Sequence, residues 1–269
     1  TSPFAFTGNK FEFRAVGSSA NCGTPMIVLN TIMAKQLREF KKDVDKRIDK
    51  GEAKDEAILK ELQKLIKESK SIRFEGNGYG DEWVVEATKR GLKNLKDTPR
   101  ALEIWGEKRV QKVFDEMNVL TPRELEARKE IEFEKYILNI QIEARIMGDM
   151  VQSMIVPSVV NYQNTLLKNI QGLFDVLGDK NGKEAAKCQI DMIQRISIHL
   201  NKMKSAVDAM VVARKLANGI EHAEEKAFAY CDKVKVYFDE IRYHADKLEL
   251  LVDDEIWPLP KFREMLFTK

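Results

Sequence analysis

The stretch Ile193-Gln194-Arg195-Ile196-Ser197-Ile198-His199-Leu200-Asn201-Lys202-Met203-Lys204-Ser205-Ala206-Val207-Asp208-Ala209-Met210 sets Ile193, Ile196, Leu200, Met203, Val207 and Met210 at an unbroken 3-4-3-4-3 spacing. Residues three and four apart share one side of a 3.6-residue helix, so this stretch predicts an amphipathic helix with a continuous apolar seam. Asn218-Gly219 closes it, and a second stripe follows at Ala227, Tyr230, Val234, Tyr237, Ile241, His244, Leu248 and Leu251. On the N-terminal side, Thr121-Pro122-Arg123-Glu124 forms a capping box with proline at the first helical position. From there the helical pattern runs to about Leu177, roughly 80 Å if straight. Pro157 sits in its middle and is expected to kink it, because proline removes one donor and crowds the preceding turn. Gly178-Asp179-Lys180-Asn181-Gly182 is expected to end it as a turn. Short turns between long helices favour antiparallel neighbours. The seams serve as a core, as a surface for another subunit, or as both.

Three zones follow. Residues 1–30 are apolar, aromatic and punctuated by Gly and Ser, with Phe4, Phe6, Phe11 and Phe13 at strand-like spacing. Residues 31–120 mix helices with one Gly-rich loop. Residues 121–269 hold the long helical stretches and a proline-bearing tail. The fold expected is mainly α: an N-terminal strand followed by a long antiparallel helical bundle. The opening Thr1-Ser2-Pro3, rather than Met, is read as a cut through a longer polypeptide.

The composition narrows the functional classes. Hydrophobic residues make up 43% and charged ones 33%, a soluble globular balance. Seven prolines and fourteen glycines are too few for a β sandwich of this length. The 45 basic and 43 acidic residues are interleaved, leaving a net charge of +2. That gives no electrostatic reason to expect nucleic acid or an anionic membrane as partner. No apolar run of about 18 residues exists to span a bilayer. Cys22, Cys188 and Cys231 are widely spaced with no CxxC pair, and read as reduced thiols of a cytoplasmic protein.

The residues that could carry chemistry are few. In Gly8-Asn9-Lys10-Phe11-Glu12-Phe13-Arg14, polar and aromatic residues alternate. On a strand, Lys10, Glu12 and Arg14 would share one face with successive members about 7 Å apart. This is either the charged outer face of a half-buried strand or an acid between two bases that holds a divalent cation and an anion together. A carboxylate suits magnesium or manganese, and a guanidinium suits a carboxylate or phosphate. Spacing alone does not choose. The Gly76–Gly80 loop lacks the Gly-Lys-Ser/Thr of a P-loop. It reads as a glycine turn at a helix start with Asp81 as N-cap, or as a loop that approaches a neighbouring subunit's site. His199 and His222 have no metal-ligand spacing to the cysteines. His244 falls on the apolar seam, the place of a hydrogen-bonded core histidine rather than a catalytic base.

The run from Thr1-Ser2-Pro3-Phe4 through Lys10-Phe11-Glu12-Phe13-Arg14 to Ala20-Asn21 resembles the final active-site strand of type III glutamine synthetases. The resemblance continues through Phe74-Glu75-Gly76-Asn77-Gly78-Tyr79-Gly80-Asp81-Glu82-Trp83, Glu124-Leu125-Glu126-Ala127-Arg128 and Ile140-Gln141-Ile142-Glu143-Ala144-Arg145. It extends through Ile241-Arg242-Tyr243-His244-Ala245-Asp246 to the tail from Trp257-Pro258-Leu259-Pro260 to Phe267, and so covers almost the whole chain.

The resemblance implies a glutamate–ammonia ligase. ATP phosphorylates the glutamate side chain to γ-glutamyl phosphate, and ammonia displaces phosphate to give glutamine. Mg2+ or Mn2+ ions neutralise charge between the two anions. It also implies that Glu12 is a metal ligand, Arg14 the arginine at the transferring phosphate or glutamate, and Lys10 a basic group near nucleotide phosphate. The implied assembly is a homo-oligomer, a ring-stacked dodecamer, with the helical extension serving assembly or a regulator. The family's other metal ligands and most nucleotide contacts are absent from these 269 residues, so the fragment alone is expected to be inactive. Gly80 stands where the family's loop is expected to carry serine. The rival reading is a non-catalytic helical interaction or dimerisation module, which leaves the Glu12/Arg14 strand without a purpose.

Overall fold

The computed structural model describes residues 4–6, 8–13, 21–72, 76–78 and 80–267. It is mainly helical and divides into two compact units, residues 1–129 and 130–269.

In the first unit, β1 (Phe4–Phe6) pairs antiparallel with β2 (Phe11–Phe13). The helices are α1 (Gly23–Ile48), α2 (Lys54–Glu68), α3 (Asp81–Lys89), α4 (Thr98–Leu102) and α5 (Lys108–Glu116). Thus α1 starts inside the first of the three sequence zones. It folds back on α2 through a turn where Gly51 takes φ +97°, a left-handed conformation that glycine adopts without a Cβ penalty. The hairpin buries Val44 and Ala57. Its buried Glu61 carboxylate accepts from Arg47 Nε at 2.5 Å. Lys35 on α1 reaches Glu116 of α5 at 2.7 Å, and Arg38 Nη1 donates to the Glu116 carbonyl.

The first element of the long helical region is α6 (Pro122–Met150), and the division between units falls inside it rather than at residue 121. Its capping box is present. Glu124 Oε2 accepts from the Thr121 N–H and hydroxyl at 2.8 Å each, and the Glu124 N–H donates to Thr121 Oγ1.

The second unit continues with α7 (Val156–Ala185), α8 (Lys187–Asn218), α9 (Ala223–Ala229), α10 (Tyr237–Glu249) and α11 (Phe262–Met265). Two π-helical turns, Val151–Ile155 and Tyr230–Val234, interrupt the regular pattern. The first accommodates Pro157. The widened turn precedes the proline: Val156 N–H donates to the Val151 carbonyl, and α7 continues with Pro157 in its opening turn. The expected turn at 178–182 is a single break: Gly178 takes φ +71°, after which helix resumes to Ala185. Gly182 then lies so close to the α7 backbone that a Cβ there would stand 2.9 Å from the Phe174 Cα.

The middle of both predicted seams is inside, while Ile193, Leu200, Tyr237 and Leu251 are half-buried. Ile196, Met203, Val207 and Met210 of α8 pack with Ala227, Tyr230, Val234, Ile241 and Leu248 at no more than 1% exposure. Tyr230 donates its hydroxyl to Asn218 Oδ1 at 2.6 Å, tying the π turn to the end of α8. Burying an aliphatic side chain of this size stabilises by about 1.5–3 kcal/mol, so this seam contributes strongly to the unit's cohesion.

Candidate functional site

The hairpin that carries the candidate ligands turns at Gly8, whose φ of +99° favours glycine. Its register sets Glu12 opposite Ala5, with Phe4 opposite Phe13 and Phe6 opposite Phe11. Glu12 is half-buried on β2 and Lys10 is exposed in the bend before it. Arg14 lies outside the described residues. A half-buried carboxylate is a hard oxygen donor of the kind a magnesium ion takes, but it is one ligand of about six. Among the described residues no group of three or more His, Cys, Asp or Glu side chains could hold a metal ion. A divalent-ion site that uses Glu12 therefore needs donors beyond the described residues, and no catalytic step can be derived from Glu12 alone.

The Gly-rich loop ends differently from expectation. Gly80, extended at φ −79° and ψ 151°, is the N-cap of α3, while Asp81 is the first helical residue. Without a side chain, Gly80 leaves the cap unfilled. Asp81 and Glu82 complement the helix N-terminus through their charge.

In the second unit, α10 joins two sites. One of its sides walls a cavity of about 510 Å³ together with Met147, Met150, Val151 and Trp257. The tail seals the end of α10. Lys261, 8% exposed, donates from Nζ to the Glu249 and Val252 carbonyls at 2.7 and 3.1 Å and pairs with Asp254 at 2.5 Å. A cation on the last carbonyls of a helix satisfies orphan acceptors and complements the dipole.

The other site went unread in the sequence. His244 is buried, as its seam position predicts, and its Nδ1 lies 2.9 Å from Nδ1 of the half-buried His199 on α8. Burial pushes both imidazoles below their ordinary pKa. For His199, the charges of His244, Lys247, Arg195 and Lys202 add to this. For His244, Lys202 adds to it and Glu240 opposes it. The signal available was the antiparallel pairing of two seams that each bring a histidine to the contact.

Among the described residues the chain is mainly helical and brings together no multi-ligand metal cluster. Residues 57–173 match the family model described as Glutamine synthetase C-terminal domain. Over all 269 residues the chain is 47% identical to a glutamine synthetase of Bacteroides fragilis (strain YCH46). It is 34% identical to the type-3 glutamine synthetase of Dictyostelium discoideum over the same length, and 32% identical to a glutamine synthetase of Butyrivibrio fibrisolvens. The chain spans only 36–37% of the length of these relatives. By these matches it belongs to the glutamine synthetase family and corresponds to its C-terminal part, type-3 members included.

Proposed function

We propose that this chain works as the C-terminal part of an ATP-dependent ligase that joins ammonia to glutamate through γ-glutamyl phosphate. The observation that carries this reading is the end-to-end alignment with glutamine synthetases at 32–47% identity. In it, Glu12 supplies one oxygen ligand to Mg2+ or Mn2+, Arg14 meets the transferring phosphate or glutamate, and Lys10 lies toward the nucleotide phosphates. Bound divalent ions would neutralise the charge that keeps ATP and glutamate apart. The remaining ligands come from the longer polypeptide, so the 269 residues alone form no glutamine. The hairpin is then the edge of a catalytic α/β domain.

The helices have a second task in this reading, that of assembly into a homo-oligomer in the cytoplasm. Leu138, Ile142 and Ile146 repeat every four residues on α6 and are about half exposed, which supports a surface made for contact.

Glu12→Ala in the full-length protein tests the site. It is expected to lower glutamine formation a hundredfold or more and to weaken its divalent-ion dependence, with the circular dichroism spectrum unchanged. Undiminished turnover would remove Glu12 from the site.

A further inference from the structure

Two of the three histidines in the chain meet at the contact between α8 and α10. At 2.9 Å between Nδ1 atoms, one ring must donate and the other accept. This fixes opposite tautomers: the donor keeps its Nε2 free, and the acceptor carries its proton on Nε2. A first added proton goes to the free Nε2 and leaves the Nδ1–H···Nδ1 bond in place, charge-assisted. A second proton can only go to the accepting Nδ1. It removes the acceptor and leaves two cationic donors facing each other at hydrogen-bond distance.

We propose that the His199–His244 pair is an acid-sensitive latch, which holds α10 on α8 while at least one ring stays neutral and releases it when both are protonated. The pair is the polar member of a seam that is otherwise apolar: Ile241 and Leu248, one turn to either side of His244 on α10, are at most 1% exposed. Tyr243 lies edge-on to both rings, with centroids 6.3 Å from His199 and 5.1 Å from His244, and Lys247 Nζ sits 5.3 Å from its ring.

The charged groups around the pair come from both helices. Arg195 and Lys202 on α8 and Lys247 on α10 oppose protonation, and Glu240 on α10 favours that of His244. The third helix packed here, α7, meets α8 through Tyr162 and Gln163, both uncharged at neutral pH. The sign follows from linkage. A histidine with a folded pKa below its unfolded value of about 6.5 costs no stability above that pH. Stability then falls as pH drops below about 6.5, until the folded rings are themselves protonated. Because α10 also walls the 510 Å³ cavity with Ile241, Ala245 and Glu249, release of the latch loosens that wall too.

Hydrogen–deuterium exchange on the intact protein at pH 7.5 and 5.5, with rates corrected for intrinsic exchange, reads the latch directly. Protection across Tyr237–Glu249 and the facing turns of α8 is expected to fall tenfold or more at the lower pH, while the α1–α2 hairpin stays unchanged. His244→Asn keeps a short polar group near the Nδ1 position but cannot titrate, and it is expected to abolish the difference between the two pH values. His199→Asn, at the more exposed partner, makes the same test if the buried substitution impairs folding. Equal protection of the native protein at both pH values would overturn the latch. So would the same acid loosening in whichever variant folds.

Discussion

Residues 1–129 and 130–269 follow the same amphipathic rules and use them in opposite ways. In the second unit the apolar stripes face each other, and Ile196, Met203, Val207, Tyr230, Ile241 and Leu248 are almost wholly buried. In the first, α2 turns Ala57 and Glu61 inward, while Leu59, Leu62 and Ile66, at helical spacing, remain 44–57% exposed. On α1, Met26, Met33 and Leu37 are exposed by 41–59% along one side. The first unit's helices are joined instead by ion pairs, Arg47 with Glu61 and Lys35 with Glu116. Both pairs are partly buried, Glu61 almost wholly so, and each stabilises only by the attraction left after its charges are desolvated. A stripe forms wherever its periodicity is written, but it stabilises only where its partner is present. The stripes of α8 and α10 have their partner in each other, whereas those of α1 and α2, like Leu138, Ile142 and Ile146 of α6, face outward.

The largest effect expected from this contrast is in the core. Ile241→Ala removes a 1%-exposed side chain from the α8–α10 seam and is expected to cost about 3 kcal/mol. Leu37→Ala, at 59% exposure, is expected to cost under about 0.5 kcal/mol in the 269-residue chain. In the full-length protein the Leu37 cost should rise to about 1.5 kcal/mol or more if the outward stripes are covered there. Opening free energies from amide exchange in α1 and α8 measure both. An equal, small Leu37 cost in both lengths would show that the stripe has no partner in the longer protein.

Acid separates the units by a second, intermediate effect. In the first unit, hydrogen bonds from Lys35, Lys60 and Lys93 hold the Glu116, Glu52 and Glu107 carboxyls below their ordinary values. The stability they lend is present above about pH 4.5 and is lost as pH falls through their lowered pKa values. In the second unit the loss belongs to the histidine pair and begins near pH 6.5. Exchange profiles from pH 8 to 4 should therefore show α8 and α10 loosening first and α1, α2 and α5 only in stronger acid. Simultaneous loosening of both units would break the comparison.

The sequence made the seams and the α6 capping box readable because both are local: each needs only residues a few positions apart. The interruptions were harder. Pro157 signalled a distortion, but its form, a π turn from Val151 to Ile155, depends on Val151 and Ile155 both reaching the interior. Gly178 broke the helix as expected, yet the chain resumed helix within a residue because Gly182 permits close approach to Phe174. The His199–His244 contact was invisible because it depends on the register of two helices, one of them preceded by the extra π turn at 230–234. At the candidate site, the strand pattern was legible in Phe11-Glu12-Phe13. A multi-ligand metal site was not, because in the proposed reading its other members would come from parts of the polypeptide beyond these residues.

Gly80 offers the smallest and most discriminating test of the first unit. The family resemblance leads one to expect serine there, and the structure gives that serine a plain physical role. Gly80 is extended, in the conformation of an N-cap, and a Cβ added to it would meet Asn77 Nδ2 only at 3.5 Å, an ordinary contact. A serine hydroxyl at this position can accept from an N–H of the first turn of α3, which glycine cannot do. Gly80→Ser is therefore expected to protect α3 by a few tenths of a kcal/mol, a rise of roughly 1 °C in any transition that includes it. In the full-length protein the same substitution separates two roles for the hydroxyl. Added protection of α3 with unchanged glutamine formation makes serine a cap and nothing more. A change in kcat without added protection places the loop against the chemistry instead, and the cap assignment fails.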